Sequence, residues 1–334
     1  MTLPKFLAIL TIVLFSAIGF IAIFKQKPET VSITQPLIAH APLEVELDEE
    51  IQTIVPAKTA QDPVKLESTN SPVLISNSPA IDLPNANRID ELFNKKDPKL
   101  PIVETITYKS HVPWQKGRPA WLSDYATHYD TSRHFIARSL NGKPDYLKQE
   151  LKEGDRFNVF KKDKNIQFHL VIDSSRCKMW FYYIDLDNNN EKVLLKTYRV
   201  GLGRLDSSKA SSLLTPLGKY TLGSKIAIYK PKMMGAHQNK RKEMITVFGT
   251  RWIPFDKEIG ICTAPAKGFG IHGTPWTSGT EDQAVDNISS VGKYESDGCI
   301  RLATPDMEEL FAIIITKPTT IEIVRDFSEA TFVE

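Results

Sequence analysis

Cysteine is scarce in this sequence, since its 334 residues contain only three, at positions 177, 262 and 299. An odd number cannot pair completely, so a disulfide framework is excluded and at least one thiol stays free. Charge of one sign is not in excess either, because 42 Lys and Arg face 40 Asp and Glu, leaving +2. This balance argues against a protein that coats nucleic acid, and we expect no nucleic-acid partner.

The sequence also lacks the spacings that bind metals. Its seven histidines form no His-x-x-x-His pair and its cysteines form no Cys-x-x-Cys pair, so we predict no metal site and no cofactor. There is no internal repeat. The composition, 41% hydrophobic and 25% charged residues, is ordinary for a globular protein. The length suggests about two domains of roughly 150 residues.

The N-terminus carries one long apolar run, residues 6–24, which contains no charge over 19 residues. As a helix it would be roughly 28 Å long, close to the ~30 Å hydrocarbon core of a bilayer. A cleavable signal peptide has a shorter apolar region of ~7–15 residues, and the only acceptable cleavage here follows Ala17-Ile18-Gly19. We therefore predict that residues 1–27 are an uncleaved anchor, with residues 6–24 in the lipid bilayer and the large remainder outside.

Residues 28–104 predict a disordered, proline-rich linker. Residues 28–100 hold nine of the 21 prolines, and the whole segment contains a single aromatic residue, Phe93. Such a segment cannot bury enough apolar surface to offset the entropy lost on ordering it. A helical pattern occurs within it at Arg88–Lys96.

Residues 105–162 predict a small strand–helix–helix–strand (βααβ) domain, because a turn glycine precedes two short helical patterns and a closing strand. The segment resembles a divergent LysM module, a fold that binds glycans containing N-acetylglucosamine. The matching features are Gly117 to Leu122, Tyr125–Ala126 with Tyr129, Asn141, and Gly154-Asp155. The family's usual Asp-Thr after the first glycine is Arg118-Pro119 here. A packing domain without a ligand is the alternative.

Residues 166–325 predict a larger, mostly β domain. Alternating apolar residues indicate strands at 166–172, 178–184, 193–200 and 320–324. The pattern at 304–311 predicts a helix, in which Thr304 is a suitable N-cap and Pro305 suits the first turn.

Two short segments of this domain carry the candidate chemistry. They are Ile271-His272-Gly273-Thr274 and Ser296-Asp297-Gly298-Cys299-Ile300-Arg301-Leu302. A cysteine flanked by glycine suits a nucleophile, since glycine lets a substrate approach the backbone closely. The thiol needs a base to ionise at neutral pH, and His272 is the candidate.

Together these segments resemble the L,D-transpeptidase (YkuD-type) catalytic domain, whose signature is His-Gly-Thr followed by Ser/Thr-His-Gly-Cys-φ-Arg-φ. Supporting motifs are Tyr198-Arg199-Val200-Gly201, Thr215-Pro216-x-Gly218-x-Tyr220 and Gly249-Thr250-Arg251-Trp252-Ile253. The resemblance implies a β-sandwich-like fold and a bacterial cell-envelope protein, anchored in the inner membrane with its catalytic domain in the periplasm or outside the membrane. It also implies a part in cell-wall biogenesis and cell shape, with peptidoglycan stem peptides and glycan strands as partners.

The resemblance further implies the reaction. Cys299 would attack a stem tetrapeptide at its diamino acid–D-Ala bond, His272 would take the thiol proton, and a second stem's amine would resolve the thioester into a 3–3 cross-link. The carbonyl of Gly273 is the candidate for orienting the imidazole, and N–H groups around Gly298 and Cys299 would stabilise the oxyanion.

Two further residues of the second segment are candidates for substrate binding. Arg301 could pair with a stem carboxylate, although a structural salt bridge is equally compatible with the sequence. Ser296 is the other candidate.

The sequence departs from the family pattern in two places. Asp297 stands where the family has histidine, and 23 residues separate His272 from Ser296, which predicts an inserted loop around 277–294. Two alternative functions follow, a catalytically inactive tethered peptidoglycan-binding protein and a cysteine L,D-carboxypeptidase that uses water.

A basic segment and the two other cysteines complete the sequence features. The basic segment 225–242 is either a flap that favours an anionic polymer or a solvated mobile loop. Cys177 and Cys262 are expected to be reduced and packed. A Cys262–Cys299 bond would abolish the nucleophile.

Overall fold

The computed structural model describes residues 83–146, 148–278 and 284–332. The predicted anchor, residues 1–27, lies outside the described residues, as do residues 28–82 of the predicted linker. Among the helices of the described ranges, none has the length and apolar character needed to cross a bilayer.

The described chain forms five short-to-medium α-helices and a larger set of strands. The helices are α1 (Asp90–Phe93), α2 (Leu122–His128), α3 (Arg133–Asn141), α4 (Ile245–Phe248) and α5 (Thr304–Ile314). The strands of the N-terminal half are β1 (Val103–Thr107), β2 (Arg156–Phe160), β3 (Ile166–Asp173), β4 (Lys178–Asp185), β5 (Glu191–Arg199), β6 (Leu202–Gly203), β7 (Gly218–Leu222) and β8 (Ala227–Ile228). The remaining strands are β9 (Met234–His237), β10 (Lys240–Glu243), β11 (Arg251–Ile259), β12 (Gly270–Gly273), β13 (Trp276–Ser278), β14 (Ala284–Asp286), β15 (Tyr294–Ser296), β16 (Ile300–Leu302) and β17 (Thr319–Val324).

The small N-terminal module has the order β1–α2–α3–β2, and its two strands pair antiparallel. Helix α3 begins where the hydroxyl of Ser132 accepts a hydrogen bond from His134 N at 3.1 Å, and it ends at Gly142 with φ +76°. Both are common ways to satisfy helix ends. Kinship of this module with LysM stays a prediction.

The larger domain is mostly β, as predicted. Its main sheet has the strand order β16-β12-β11-β7-β17-β3-β4-β5, with β8 paired to β11. Strands β12 and β16 are parallel neighbours in the register His272↔Arg301. This pairing brings together the two segments that carry the candidate chemistry.

Helix α5 follows β16 directly and differs from the prediction at its first residue. Ala303 occupies the N-cap position, and Thr304 is already helical. The N–H of Thr304 donates to the carboxylate of Asp286 at 3.2 Å, so a side chain from β14 caps this end. An acid from a distant strand does here what the local hydroxyl was expected to do.

Residues 83–104 were included in the predicted linker, but they fold against the larger domain. Ile89, Leu92, Leu100 and Ile102 are at most 3% exposed. The indole N–H of Trp180 donates to the carbonyl of Pro84 at 2.7 Å. Frequent prolines predict that a segment lacks helices and strands. They do not predict that it is unpacked, and here the apolar side chains bury enough surface to hold an irregular segment against the domain.

The module has a small hydrophobic cluster of its own, and its other buried side chains join the core of the larger domain. Phe135 of α3 packs on Phe160 of β2 with ring centroids 4.7 Å apart, and Phe160 lies 5.9 Å from Phe168 of β3. All three rings are fully buried. The predicted boundary at residues 162–165 is therefore a connection in the chain and not a break in the packing.

Candidate active site

His272 lies on β12, the second strand from one edge of the main sheet, between Trp252 of β11 and Arg301 of β16. The imidazole is buried, with 3% of the residue exposed. Its Nδ1 lies 2.7 Å from the carbonyl oxygen of Gly273. A carbonyl only accepts, so Nδ1 carries the proton and Nε2 is left as the basic nitrogen. Gly273 thus occupies the orienting position that the sequence predicts for it.

Cys299 shares a face of the sheet with His272. Arg301 pairs with His272, and Cys299 precedes Arg301 by two residues, which in extended chain places both side chains on one side. Ile271 and Ile300, the alternate residues, are fully buried in the core on the other side. The thiol is half-buried, and its sulfur lies 3.8 Å from the carbonyl oxygen of Gly268.

Burial opposes charge on both groups. Burial, and after it the nearby Arg301 guanidinium, lower the pKa of His272 to about 3. Burial raises the pKa of Cys299 to about 11, although the Gly270 backbone and Arg301 favour the thiolate. The resting site therefore holds a neutral thiol and a neutral imidazole, and a thiolate–imidazolium pair would depend on mutual attraction.

The turn before Cys299 is held by Ser296. The Ser296 hydroxyl donates to the carbonyl of Cys299 at 2.6 Å and accepts from the N–H of Gly298 at 3.1 Å. Ser296 is 1% exposed. These contacts differ from the predicted roles, because a buried hydroxyl committed to the turn cannot bind substrate and the N–H of Gly298 is already occupied. The N–H of Cys299 remains the candidate oxyanion donor.

Gly298 is required for shape. Its φ is +119°, and a Cβ built there would lie 2.6 Å from the Phe269 ring and 2.9 Å from the carbonyl oxygen of Leu214. Its own carbonyl accepts from the Thr215 hydroxyl at 2.9 Å. Thr215 belongs to the Thr-Pro-x-Gly segment noted in the sequence, so this motif braces the turn that presents Cys299.

Arg301 is half-buried, and its electrostatic effect reaches both His272 and Cys299. Its Nε is buried without a hydrogen-bond partner, and its side chain forms no ion pair with any residue that the structure describes. The structural salt bridge considered as an alternative is therefore absent from the described part of the chain. An unpaired guanidinium beside a thiol can receive a carboxylate.

Comparison with known proteins identifies a family for the larger domain. Residues 167–323 match the sequence model of the family described as YkuD: L,D-transpeptidase catalytic domain. These residues are a YkuD domain. No curated protein matches the chain.

Solved structures give only distant similarity. Bd1075 of Bdellovibrio bacteriovorus aligns with a TM-score of 0.32 and 15% identity, over 48% of this chain and 48% of that one. The helical cell shape determining protein Pgp2 of Campylobacter jejuni aligns with a TM-score of 0.32 and 15% identity, over 48% of this chain and 49% of that one. The chain spans about half the length of these structures.

In the YkuD domain, the side chain of Asp297 is turned toward solvent. It is 68% exposed and its Oδ1 accepts from Nη2 of Arg204, itself 62% exposed, at 2.6 Å. Burial raises the pKa of the Cys299 thiol more than the Asp297 carboxylate does. The departure from the family pattern thus leaves the contacts of Cys299 and His272 in place.

A cover of aromatic side chains closes the YkuD domain over His272. The ring of Phe248 meets the imidazole edge-on at 5.4 Å, and Trp252 lies at 6.0 Å. His237 of β9 meets Phe248 edge-on, also at 5.4 Å. Sequence reasoning missed His237 and Phe248, because only the fold brings them from 24 or more positions away to the histidine.

The basic segment 225–242 contributes His237, which packs on Phe248 of this cover. Part of it is the hairpin β9–β10, which we call the flap (Met234–Glu243). Lys240 and Arg241 of the flap are exposed, as are Lys230 and Lys232 before it. The sequence left a flap and a solvated mobile loop as alternatives for this segment. In the structure it contains a hairpin, and its His237 packs on Phe248.

The three cysteines, all within the described residues, are free. Cys177 is buried, and Cys262 is half-buried with its thiol 3.2 Å from the carbonyl oxygen of Lys219. The residues predicted as an inserted loop, 277–294, include the end of β13, all of β14 and the first residue of β15. Strands β13 and β14 pair antiparallel. No group of three or more potential ligands capable of holding a metal occurs in the described ranges.

Proposed function

We propose that this chain is a cysteine-dependent L,D-transpeptidase that forms 3–3 cross-links between peptidoglycan stem peptides. The YkuD family acts on peptidoglycan. The observation that carries the proposal is the free Cys299 thiol on the same face as the oriented His272 imidazole, beside the unpaired Arg301. Such a set suits acyl transfer through a thioester.

The first half-reaction would acylate Cys299. Arg301 binds a carboxylate of the donor stem and positions the diamino acid carbonyl. Nε2 of His272 takes the thiol proton as the sulfur attacks, and the N–H of Cys299 stabilises the oxyanion, a contribution worth about 3–4 kcal/mol in other enzymes. The imidazolium then gives its proton to the departing D-Ala.

The second half-reaction would transfer the acyl group. The side-chain amine of a second stem attacks the thioester, and the sulfur leaves. If water takes the place of that amine, the same chemistry is an L,D-carboxypeptidase reaction. The partially buried thiol and the aromatic cover over His272 favour transfer, since a covered thioester meets less water.

The proposal includes a tethered location. Residues 6–24 would anchor the chain in the inner membrane, residues 28–82 would extend it, and the YkuD domain would face the periplasm or the outside of the membrane. The module at residues 105–162 would bind glycan strands. Trp121, which is 52% exposed, offers a surface on which a sugar ring can stack.

The test uses the full-length protein with a carbapenem and with tetrapeptide muropeptides. We expect an intact-mass increase of one carbapenem per chain, mapped to Cys299, and cross-linked dimers from the muropeptides. The variant Cys299→Ala should form neither. Cys262→Ser is the matched control, because it removes another half-buried thiol from the same domain and should keep both activities.

The products separate the alternatives. Free tripeptide without dimer would make the chain a carboxypeptidase. Neither a thioester nor release of D-Ala from a folded protein would leave an inactive peptidoglycan-binding protein and would overturn the proposal.

A further inference from the structure

Beside the thiol, the YkuD domain presents an exposed carboxylate with one unoccupied oxygen. Oδ1 of Asp297 accepts from Arg204, whereas Oδ2 has no hydrogen-bond partner among the described residues. The Arg204–Asp297 pair is exposed on both sides, and such pairs are weak enough to exchange for another cation. Asp297 is therefore available to a positively charged ligand.

The position of this carboxylate relative to the nucleophile is fixed. Its α-carbon lies two residues from that of Cys299, at most ~7 Å away. The hydroxyl of Ser296, the residue before Asp297, bonds the backbone after Asp297, through Gly298 N and Cys299 O. The N–H of Arg204 donates to the carbonyl of Ser296 at 2.9 Å, which ties the turn to its neighbour. The backbone of Asp297 thus has a constant place relative to Cys299.

The flap brings a histidine near the buried base and within electrostatic reach of Asp297. His237 packs edge-on against Phe248, which packs edge-on against His272, so the flap histidine stands one ring away from the buried base. The charged or titratable groups that act on His237 are Lys242 of β10, Asp297 and His272. Burial, and then Lys242, lower the pKa of His237, so the ring is neutral at pH 7 and can accept a proton.

We propose that Asp297 and His237 form the site that binds and deprotonates the ammonium group of the acyl acceptor. This inference rests on the proposed function and names the acceptor class, a primary amine carried on a cationic side chain. The carboxylate that replaces the family's usual histidine would serve the second half-reaction, without contact to the thiol.

The step is balanced as follows. Asp297 Oδ2 accepts a hydrogen bond from the acceptor ammonium, which gives one proton to His237. The freed nitrogen lone pair forms a C–N bond with the thioester carbonyl, and the C–S bond to Cys299 breaks. The second proton of the nitrogen passes through His272 to the departing sulfur. The products are an amide and a thiol, and His237 releases its proton to solvent.

The experiment measures the ratio of cross-linked dimer to free tripeptide formed by the full-length protein from stem tetrapeptides with a free side-chain amine. A ratio is used because damage to acylation lowers both products together. Asp297→Asn should lower the ratio about three- to tenfold, as expected for one lost charged contact at a partly exposed site. His237→Gln should lower it about tenfold or more through the loss of a base.

Two controls separate the acceptor site from a surface bridge. Arg204→Gln breaks the same ion pair but frees both carboxylate oxygens, so the ratio should stay level or rise. Glu295→Gln removes an exposed, Lys293-paired carboxylate two positions from Asp297 and should leave the ratio unchanged.

The outcomes distinguish this proposal from the function it rests on. An unchanged ratio in Asp297→Asn overturns it, as do equal losses in Asp297→Asn and Arg204→Gln. A wild-type protein that makes a thioester but only tripeptide also overturns it. A wild-type protein that makes no thioester overturns the proposed function itself.

Discussion

Replacing Gly298 by alanine tests the turn that presents Cys299. The new Cβ would lie 2.6 Å from the Phe269 ring and 2.9 Å from the carbonyl oxygen of Leu214, at a backbone φ of +119°. Backbone strain of this kind costs about 1–3 kcal/mol. The overlap adds about 1–3 kcal/mol, since one of the two neighbours is backbone and cannot turn aside.

We therefore expect Gly298→Ala to lower the free energy of unfolding by about 2–5 kcal/mol, after the smaller entropy of the unfolded alanine chain is subtracted. Gly260→Ala is the matched control in the same domain, because Gly260 has φ +69° and no atom within 4 Å of its built Cβ. That control should lose only about 1 kcal/mol, from the left-handed backbone alone.

Urea unfolding followed by tryptophan fluorescence gives both values, and the carbapenem reaction reports the position of the thiol. Gly298→Ala should also acylate more slowly than Gly260→Ala. Equal unfolding free energies for the two variants would refute the claim that steric contact, and not only φ, fixes this residue.

Three more predictions follow from burial and charge. Ser296→Ala removes both bonds that hold the turn, so we expect a loss of about 1–3 kcal/mol in unfolding free energy and slower acylation. The contacts of Asp145 with His134 and Arg251 outweigh burial and lower its pKa to about 2, so its contribution is present above about pH 4 and is lost as pH falls toward 2. In Asp145→Asn, unfolding free energy should depend less on pH in that window. Because burial moves the pKa of the thiol to about 11 and that of the imidazole to about 3, acylation should be level from about pH 5 to about pH 9.

Each of these predictions has its own check. Ser289→Ala, which removes an exposed hydroxyl bonded only to Asn287, should change unfolding by less than about 0.5 kcal/mol. An equal effect in the two serine variants would deny Ser296 its role. Parallel curves for wild type and Asp145→Asn between pH 2 and pH 4 would contradict the carboxylate's lowered pKa. A step in the acylation rate near pH 6.5 would show that the base is not the buried imidazole.

The regular parts of the fold were accessible from the sequence. The apolar residues of 166–172 and 178–184 predict two strands, and the structure has them at Ile166–Asp173 and Lys178–Asp185, buried along almost their whole length. The start of α5 could not be predicted from the sequence in this way, because the N–H of its first residue donates to Asp286, eighteen positions earlier. Local capping rules do not include such partners.

In the candidate site, too, the features carried by short motifs could be predicted, and those that depend on distant contacts could not. His272 and Cys299 stand in short motifs whose chemistry can be read locally, and the pairing of β12 with β16 brings the two motifs together. The roles of Ser296 and Asp297 depend on where each side chain points, which one residue of register decides. His237 depends on the flap folding over a strand that comes later in the chain. Sequence alone carries no signal for that contact.

The most direct measurement for the central claim is peptide mapping of the full-length protein after reaction with a carbapenem at neutral pH. The account predicts a single thioester adduct on Cys299, retained in Cys262→Ser and strongly slowed in His272→Ala. An adduct on Cys177 or Cys262, or one that forms on Cys299 equally fast without His272, would contradict it.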